Sequence, residues 1–233
     1  MKRLSIVIPA YNEERFIGTL LERIRAVDLR SSGLEKEIIV IDDRSSDGTV
    51  DAVSRFSDVV LCRHERNGGK GRAVRTGIER ATGDYVMIQD ADLEYDPQDY
   101  VQMVQALLSG RGDAVYGSRY TRGFFGSKHP EQSWPAYVGG RSLSIAALIC
   151  TGRYLADTVT ALKLFPRRLL NDLNLQTSGF ELDHEITSKV LARGRRIVEV
   201  PIRYFPRSRD EGKKIGARDW VTGLRTFWRY RRG

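Results

Sequence analysis

The chain is poor in cysteine and has no long apolar run. Its two cysteines, Cys62 and Cys150, each lie inside an apolar stretch. Neither a disulfide framework nor a cysteine-bound metal is therefore expected, and a reducing cytosol is the plain reading. The first apolar stretch, residues 4–8, runs at once into Asn12, Glu13 and Glu14 and is too short for a signal-peptide core. The longest later run, residues 145–150, falls far below the roughly 20 residues that span a bilayer. No transmembrane helix is expected. His64, His129 and His184 are scattered, without the spacing of metal ligands. The sequence also has no Gly-x-Gly-x-x-Gly turn after its first apolar run, no Walker loop and no Gly-x-Ser-x-Gly turn. These absences remove support for a nicotinamide or flavin enzyme, a Walker-type nucleotidase and a serine hydrolase.

What is present is enough apolar residue, 41% of 233, to bury one ordinary core. The net charge of +8 is unevenly placed. Residues 1–192 carry 25 Lys/Arg against 26 Asp/Glu, whereas 193–233 carry 13 against 4. A basic tail suits a polyanion such as nucleic acid, an anionic membrane face or a phosphorylated substrate. A solvated tail kept for solubility is the plainer alternative.

Residues 4–8, 37–42, 59–62, 84–89 and 113–117 are short β-rich runs. Segments of helical periodicity separate them, one with its face at Ile17, Leu20, Leu21 and Ile24. Strands alternating with helices predict an α/β fold with a mostly parallel central sheet flanked by helices. Ligands of such folds sit at the carboxyl ends of the strands. A long loop is expected over 121–137, a helix over about 138–151, another over 181–192 and an extended segment over 196–205.

The strand ends hold the unusual residues. Asp90-Ala91-Asp92 follows a buried run and offers two hard carboxylates suited to Mg²⁺ or Mn²⁺, with Glu94 as a possible third ligand. Aspartate that merely caps a turn is the competing reading. Asp42 could accept hydrogen bonds from a ribose or base, while Asp47 reads as a cap for the next helix. Asn67-Gly68-Gly69-Lys70-Gly71 resembles a phosphate loop in composition, or is a tight turn.

Taken in order, Val7-Ile-Pro-Ala-Tyr-Asn-Glu13, Val40-Ile-Asp-Asp43, Asn67-Gly-Gly-Lys-Gly71, Asp90-Ala-Asp92 and Gly117-Ser-Arg119 resemble the family 2 inverting glycosyltransferases of the Rossmann-like GT-A fold. Within that family they look most like the polyprenyl-phosphate hexosyltransferases. Asp157-Thr-Val-Thr160 with Lys163, Gly179-Phe-Glu-Leu-Asp183 and Glu211-Gly-Lys-Lys-Ile215 extend the likeness over nearly the whole chain. The resemblance implies a catalytic domain over 1–205, with its nucleotide-binding part at about 1–120 and its acceptor part at about 121–205. A basic loop and amphipathic helix over 206–233 follow.

By the same resemblance Pro9, Tyr11, Asn12, Glu13, Asp42, Lys70 and Asp90 bind the nucleotide, and Asp90, Asp92 and Glu94 hold the metal. Arg119, Lys213 and Lys214 meet donor or acceptor phosphate. Asp92, Arg119 and Asp157 form the catalytic set, Asp157 being a base, an acceptor-orienting group or a helix cap. Glu94 stands where the family commonly has a neutral residue, which puts the third ligand in doubt. The paired lysines blur which one reaches phosphate.

The implied reaction moves mannose or glucose from GDP-mannose or UDP-glucose to a polyprenyl phosphate. It would take place at the cytosolic face of a membrane, with a membrane-anchoring partner protein as a further possibility. The tail fits that setting, since Trp220, Leu224, Phe227 and Trp228 are expected on one helical face opposite Arg225 and Arg229; a helix that packs those four residues on its own domain is the alternative. A cell-wall or polysaccharide hydroxyl is the alternative acceptor, and would require a general base. A non-catalytic nucleotide-sugar sensor is opposed by the intact metal motif. A nucleic-acid module is opposed by the carboxylate-lined strand ends and the lack of a base-reading motif.

Overall fold

A computed structural model describes residues 1–120, 134–206 and 217–232. Its strands are β1 (Lys2–Ala10), β2 (Leu34–Asp42), β3 (Val59–Arg63), β4 (Tyr85–Ile88), β5 (Ala114–Ser118), β6 (Lys163–Pro166) and β7 (Ile197–Pro201). The helices are α1 (Ile17–Ala26), α2 (Thr49–Ser54), α3 (Lys70–Arg80), α4 (Tyr100–Leu108), α5 (Trp134–Thr151), α6 (Arg167–Asp172), α7 (Leu182–Ala192) and α8 (Ala217–Arg229). The strands form one sheet in the order β3-β2-β1-β4-β6-β5-β7.

β1 lies deep in the sheet and is apolar on both faces. Leu4, Ile6 and Ile8 enter one core layer with α1 and α4, while Val7 joins the other with α3 and α7. Burial on both sides makes such a strand a near-continuous apolar run rather than an alternating one. From β1 the chain moves outward to β2 and β3, then returns to the other side of β1 with β4. That reversal is a topological switch point, and it opens a crevice at the carboxyl ends of the strands.

The five expected strands are present and the sheet is mostly parallel. The exception is β6, which the sequence pattern did not announce. It runs antiparallel to both β4 and β5. Four residues led by a lysine are too few for a periodicity argument, yet Leu164 and Phe165 fill opposite core layers. β7 pairs parallel with β5, so the stretch beyond residue 120 shares the sheet with the first part. The helix expected from 138 begins at Trp134, and the extended segment narrows to Ile197–Pro201.

α8 differs from expectation in which face it buries. Gly223, Thr226 and Phe227, with Tyr230 just beyond its end, are buried, whereas Trp220 and Trp228 are 37% and 62% exposed. Phe227 packs with Leu143 and Ala147 of α5, and its ring centroid lies 4.9 Å from that of His184. A Cβ on Gly223 would stand 2.7 Å from His184 Nε2, so a glycine is what lets α8 approach α7. Trp220 donates its indole N–H to Ser142 Oγ at 2.7 Å. The helix is thereby docked on the domain. Among the described residues no helix is long and apolar enough to cross a membrane.

Phe227→Ala is expected to cost about 3 kcal/mol and Trp228→Ala to stay within about 0.5 kcal/mol, both measured by urea unfolding. Burial drives the His184 pKa down to about 4, against the pull of Asp183, while a solvated histidine titrates near about 6.5. Between those values the unfolded chain binds the extra proton. Stability should therefore fall as pH drops from about 6.5 toward 4, and His184→Gln should flatten that slope in unfolding curves at stepped pH.

Candidate active site

Three loops border the crevice, one each after β1, β2 and β4. The first two are sewn together. Ser45 Oγ accepts the Asn12 amide at 2.9 Å, and Asn12 Oδ1 accepts the Ser46 amide at 2.9 Å. Thr49 Oγ1 accepts the Glu13 amide. Asn12 has φ 56° and Leu93, next to Asp92, has φ 58°, left-handed backbone that leucine seldom adopts. Pro9 is half-buried at the end of β1, Glu13 is buried and Tyr11 is 39% exposed. Asp47 accepts the Thr49 amide at the start of α2 and the Glu14 amide as well, from one residue before the N-cap position, which is Gly48.

Asp42 has no exposed side-chain surface and pairs with Arg63 at 3.2 Å. Arg63 was not a sequence candidate. The signal lies in strand register, which sets Arg63 directly beside Asp42.

Two amides of the glycine loop are taken by an anion of the chain itself. Asp43 reaches into the loop and accepts the Gly68 amide at 2.9 Å and the Gly69 amide at 2.7 Å. The same carboxylate takes His64 Nδ1 at 2.7 Å. The Arg72 amide goes to the Ser178 carbonyl at 3.1 Å. A Cβ on Gly71 would meet the backbone of residues 177–179 at 2.8–2.9 Å. The phosphate-loop resemblance is thus corrected: the amides hold an internal carboxylate, and the glycines admit a neighbouring segment.

Lys70 alone of that loop points into the crevice. Its ammonium lies 2.8 and 3.0 Å from the two Asp90 oxygens and 3.5 Å from Asp183. The fully buried Lys163 also pairs with Asp183 and donates to the Thr160 carbonyl. Burial alone would raise the Asp183 pKa, but Lys163 and Lys70 outweigh it and hold the carboxylate below its usual range. Burial lowers the Lys70 pKa, yet Asp183 and Asp90 turn the net shift upward. Burial raises Asp90, with Lys70 opposing and Asp92 adding. Asp183 belonged to a recognised stretch but carried no assigned role.

A second cluster lies across β5. Arg119 clasps Asp157 through Nε and Nη2, each at 2.7 Å, and its amide donates to the same carboxylate at 3.0 Å. Asp157 has no exposed surface, and no helix begins there, which removes the capping alternative. Glu199 accepts the amides of Ala156 and Asp157 at 2.7 Å and fixes the turn. The Arg119 guanidinium lies 5.2 Å from the centre of the Tyr204 ring, and burial pushes the Tyr204 hydroxyl pKa up, with Arg119 opposing and Glu94 adding. Lys213 and Lys214 lie outside the described residues.

The donor set suits a divalent cation of the Mg²⁺ or Mn²⁺ kind. Asp90 and Asp92 are hard ligands one residue apart, close enough for each charge to bear on the other. Such an ion commonly takes one or two carboxylates and leaves positions for substrate phosphates. Among the described residues no three His, Cys, Asp or Glu side chains converge on a metal position. Glu94, the possible third ligand, lies near enough to Tyr204 for its charge to bear on that hydroxyl.

Carboxylates gathered at the switch point of a mostly parallel sheet define the nucleotide-binding α/β class. The chain belongs to glycosyl transferase family 2, whose family model matches residues 5–173, and it is a glycosyltransferase of the GT-A fold. It is 30% identical to the dolichol-phosphate mannosyltransferase of Pyrococcus furiosus over 92% of its own length and 60% of that protein's. It thus spans less than two thirds of that relative. An uncharacterized protein of Methanocaldococcus jannaschii is 27% identical, with 97% of this chain and 90% of that one covered. Among solved structures, glucosyl-3-phosphoglycerate synthase from Mycobacterium tuberculosis in complex with UDP superposes with TM-score 0.73 at 20% identity, covering 99% of this chain and 80% of that one. The same enzyme with Mn²⁺, UDP-glucose and phosphoglyceric acid gives 0.72 at 21% identity, with the same coverage.

Asp157→Ala should destabilise by about 3 kcal/mol, because it leaves the Arg119 charge buried alone. The double replacement Arg119→Met with Asp157→Leu should cost less than that single change. A double-mutant cycle by urea unfolding checks both.

Proposed function

We propose that this glycosyltransferase moves a hexose from a GDP- or UDP-activated donor to a polyprenyl phosphate at the cytosolic face of a membrane. The observation that carries this reading is the outer face of α5. Trp134, Val138, Ile145 and Ile149, spaced by four, seven and four residues, are 65%, 58%, 44% and 76% exposed. A helix turning 100° per residue places all four in one stripe. α8 packs on α5 and adds exposed Val221 and Trp228 among exposed Arg218, Arg225 and Arg229. Aromatic and basic residues together suit a headgroup layer. The likeness to a dolichol-phosphate mannosyltransferase supports the same acceptor.

In this reading Asp42, Tyr11 and Glu13 bind the nucleoside and Lys70 meets the diphosphate. Asp90 and Asp92 hold Mg²⁺ or Mn²⁺, which when bound stabilises the leaving diphosphate as a Lewis acid. Arg119, aimed by Asp157, receives the acceptor phosphate. That phosphate is already ionised near neutral pH, its second pKa being about 6. No general base is then needed, which agrees with an Asp157 whose oxygens are spent on Arg119.

The chain should be assayed with GDP-mannose and UDP-glucose, Mn²⁺ or Mg²⁺, and either a short polyprenyl phosphate or 3-phosphoglycerate. Label should pass to the lipid, Asp92→Asn should lower turnover by about a hundredfold or more, and anionic vesicles should carry the chain in flotation at low salt. Transfer only to a soluble acceptor, with no flotation, would overturn the reading.

A further inference from the structure

The carboxylate assigned to the metal is already held by a cation of the chain itself. Lys70 contacts both Asp90 oxygens, and the pair is well sheltered, with side chains 14% and 24% exposed. Lys70 has little freedom to leave. It opens α3, whose first turn is pressed by residues 177–179, and its ammonium sits 5.7 Å from the centre of the Phe180 ring. Asp183 is the other carboxylate within reach, at 3.5 Å, but the buried Lys163 already draws on it. Two lysines and two aspartates thus form a locally neutral set.

We propose that Lys70 is a built-in competitor for the metal: it neutralises Asp90 until a donor diphosphate arrives, so that metal and donor enter together. A divalent ion arriving alone puts a second cation on one carboxylate in a partly dry site, where like charges repel strongly. Asp183 cannot take up the displaced ammonium in full, because Lys163 shares it. A diphosphate supplies the missing negative charge, gives Lys70 a new partner and completes the coordination of the metal. This inference rests on the assignment of the metal to Asp90 and Asp92 made above. It does not depend on the acceptor.

The test is Mn²⁺ binding followed by the electron paramagnetic resonance of the free ion, with no added nucleotide and with GDP or UDP. The unaltered chain should bind Mn²⁺ weakly alone and at least about tenfold more tightly with nucleotide. Lys70→Gln should bind Mn²⁺ alone about tenfold more tightly than the unaltered chain, the scale of removing a like charge at contact distance, and should gain less from nucleotide. Lys70→Arg, which keeps the charge, should bind as weakly as the original. Lys70→Met repeats the neutralisation with another shape, and thermal melting confirms that each variant is folded. If neither neutral variant binds Mn²⁺ more tightly than the original, the proposal is overturned. Asp92→Asn tests the underlying assignment: unchanged Mn²⁺ binding there would place the metal elsewhere and remove both claims.

Discussion

Burying charge without a partner costs several kcal/mol per ion, and the set of Lys70, Asp90, Lys163 and Asp183 shows how this fold meets that constraint. The four residues come from the start of α3, the turn after β4, the strand β6 and the start of α7. α3 and β4 follow one another, but β6 and α7 come some seventy residues or more later in the chain. Their charges match only when the sheet is complete, so correct assembly of the centre and neutralisation of the crevice are one event. The antiparallel β6 is the piece that makes this work, because it carries Lys163 between β4 and β5 to a place with no exposed surface.

The same economy governs the glycine loop. Its composition suggests an anion cradle, and an anion does sit there, but it is Asp43 of the chain itself. An internal carboxylate ties the loop after β2 to the entrance of α3 and leaves Lys70 as the group that faces the crevice. Arg119 and Asp157 repeat the pattern across β5. In both places a carboxylate is spent on holding other groups in position.

The helices α5 and α8 are shaped by a different force. Their contact buries Phe227 against Leu143 and Ala147, enough to dock α8, while Trp134, Ile149 and Trp228 stay in water. Large apolar side chains left outside on paired helices, with arginines among them, are what the proposed contact with a lipid headgroup layer rests on.

The sequence alone carried the strand-and-helix alternation, the parallel sheet, and the gathering of Asp42, Asp90 and Asp92 at strand ends, because these rest on local periodicity and on a fixed rule of α/β topology. It also singled out Lys70 and Arg119, which the structure sets against Asp90 and Asp157. It could not show that Asp43 fills the glycine loop, that Arg63 covers Asp42, or that Asp183 joins Lys70, since each depends on register or on contacts between segments distant in the chain. Nor could hydropathy tell that α8 buries Gly223 rather than Trp228: the choice was made by how closely a helix can approach His184, a matter of shape. What the chain's own letters determined was which groups lie at the strand ends; which of them are paired and which face the crevice was decided by packing, because a buried charge takes its role from its neighbour.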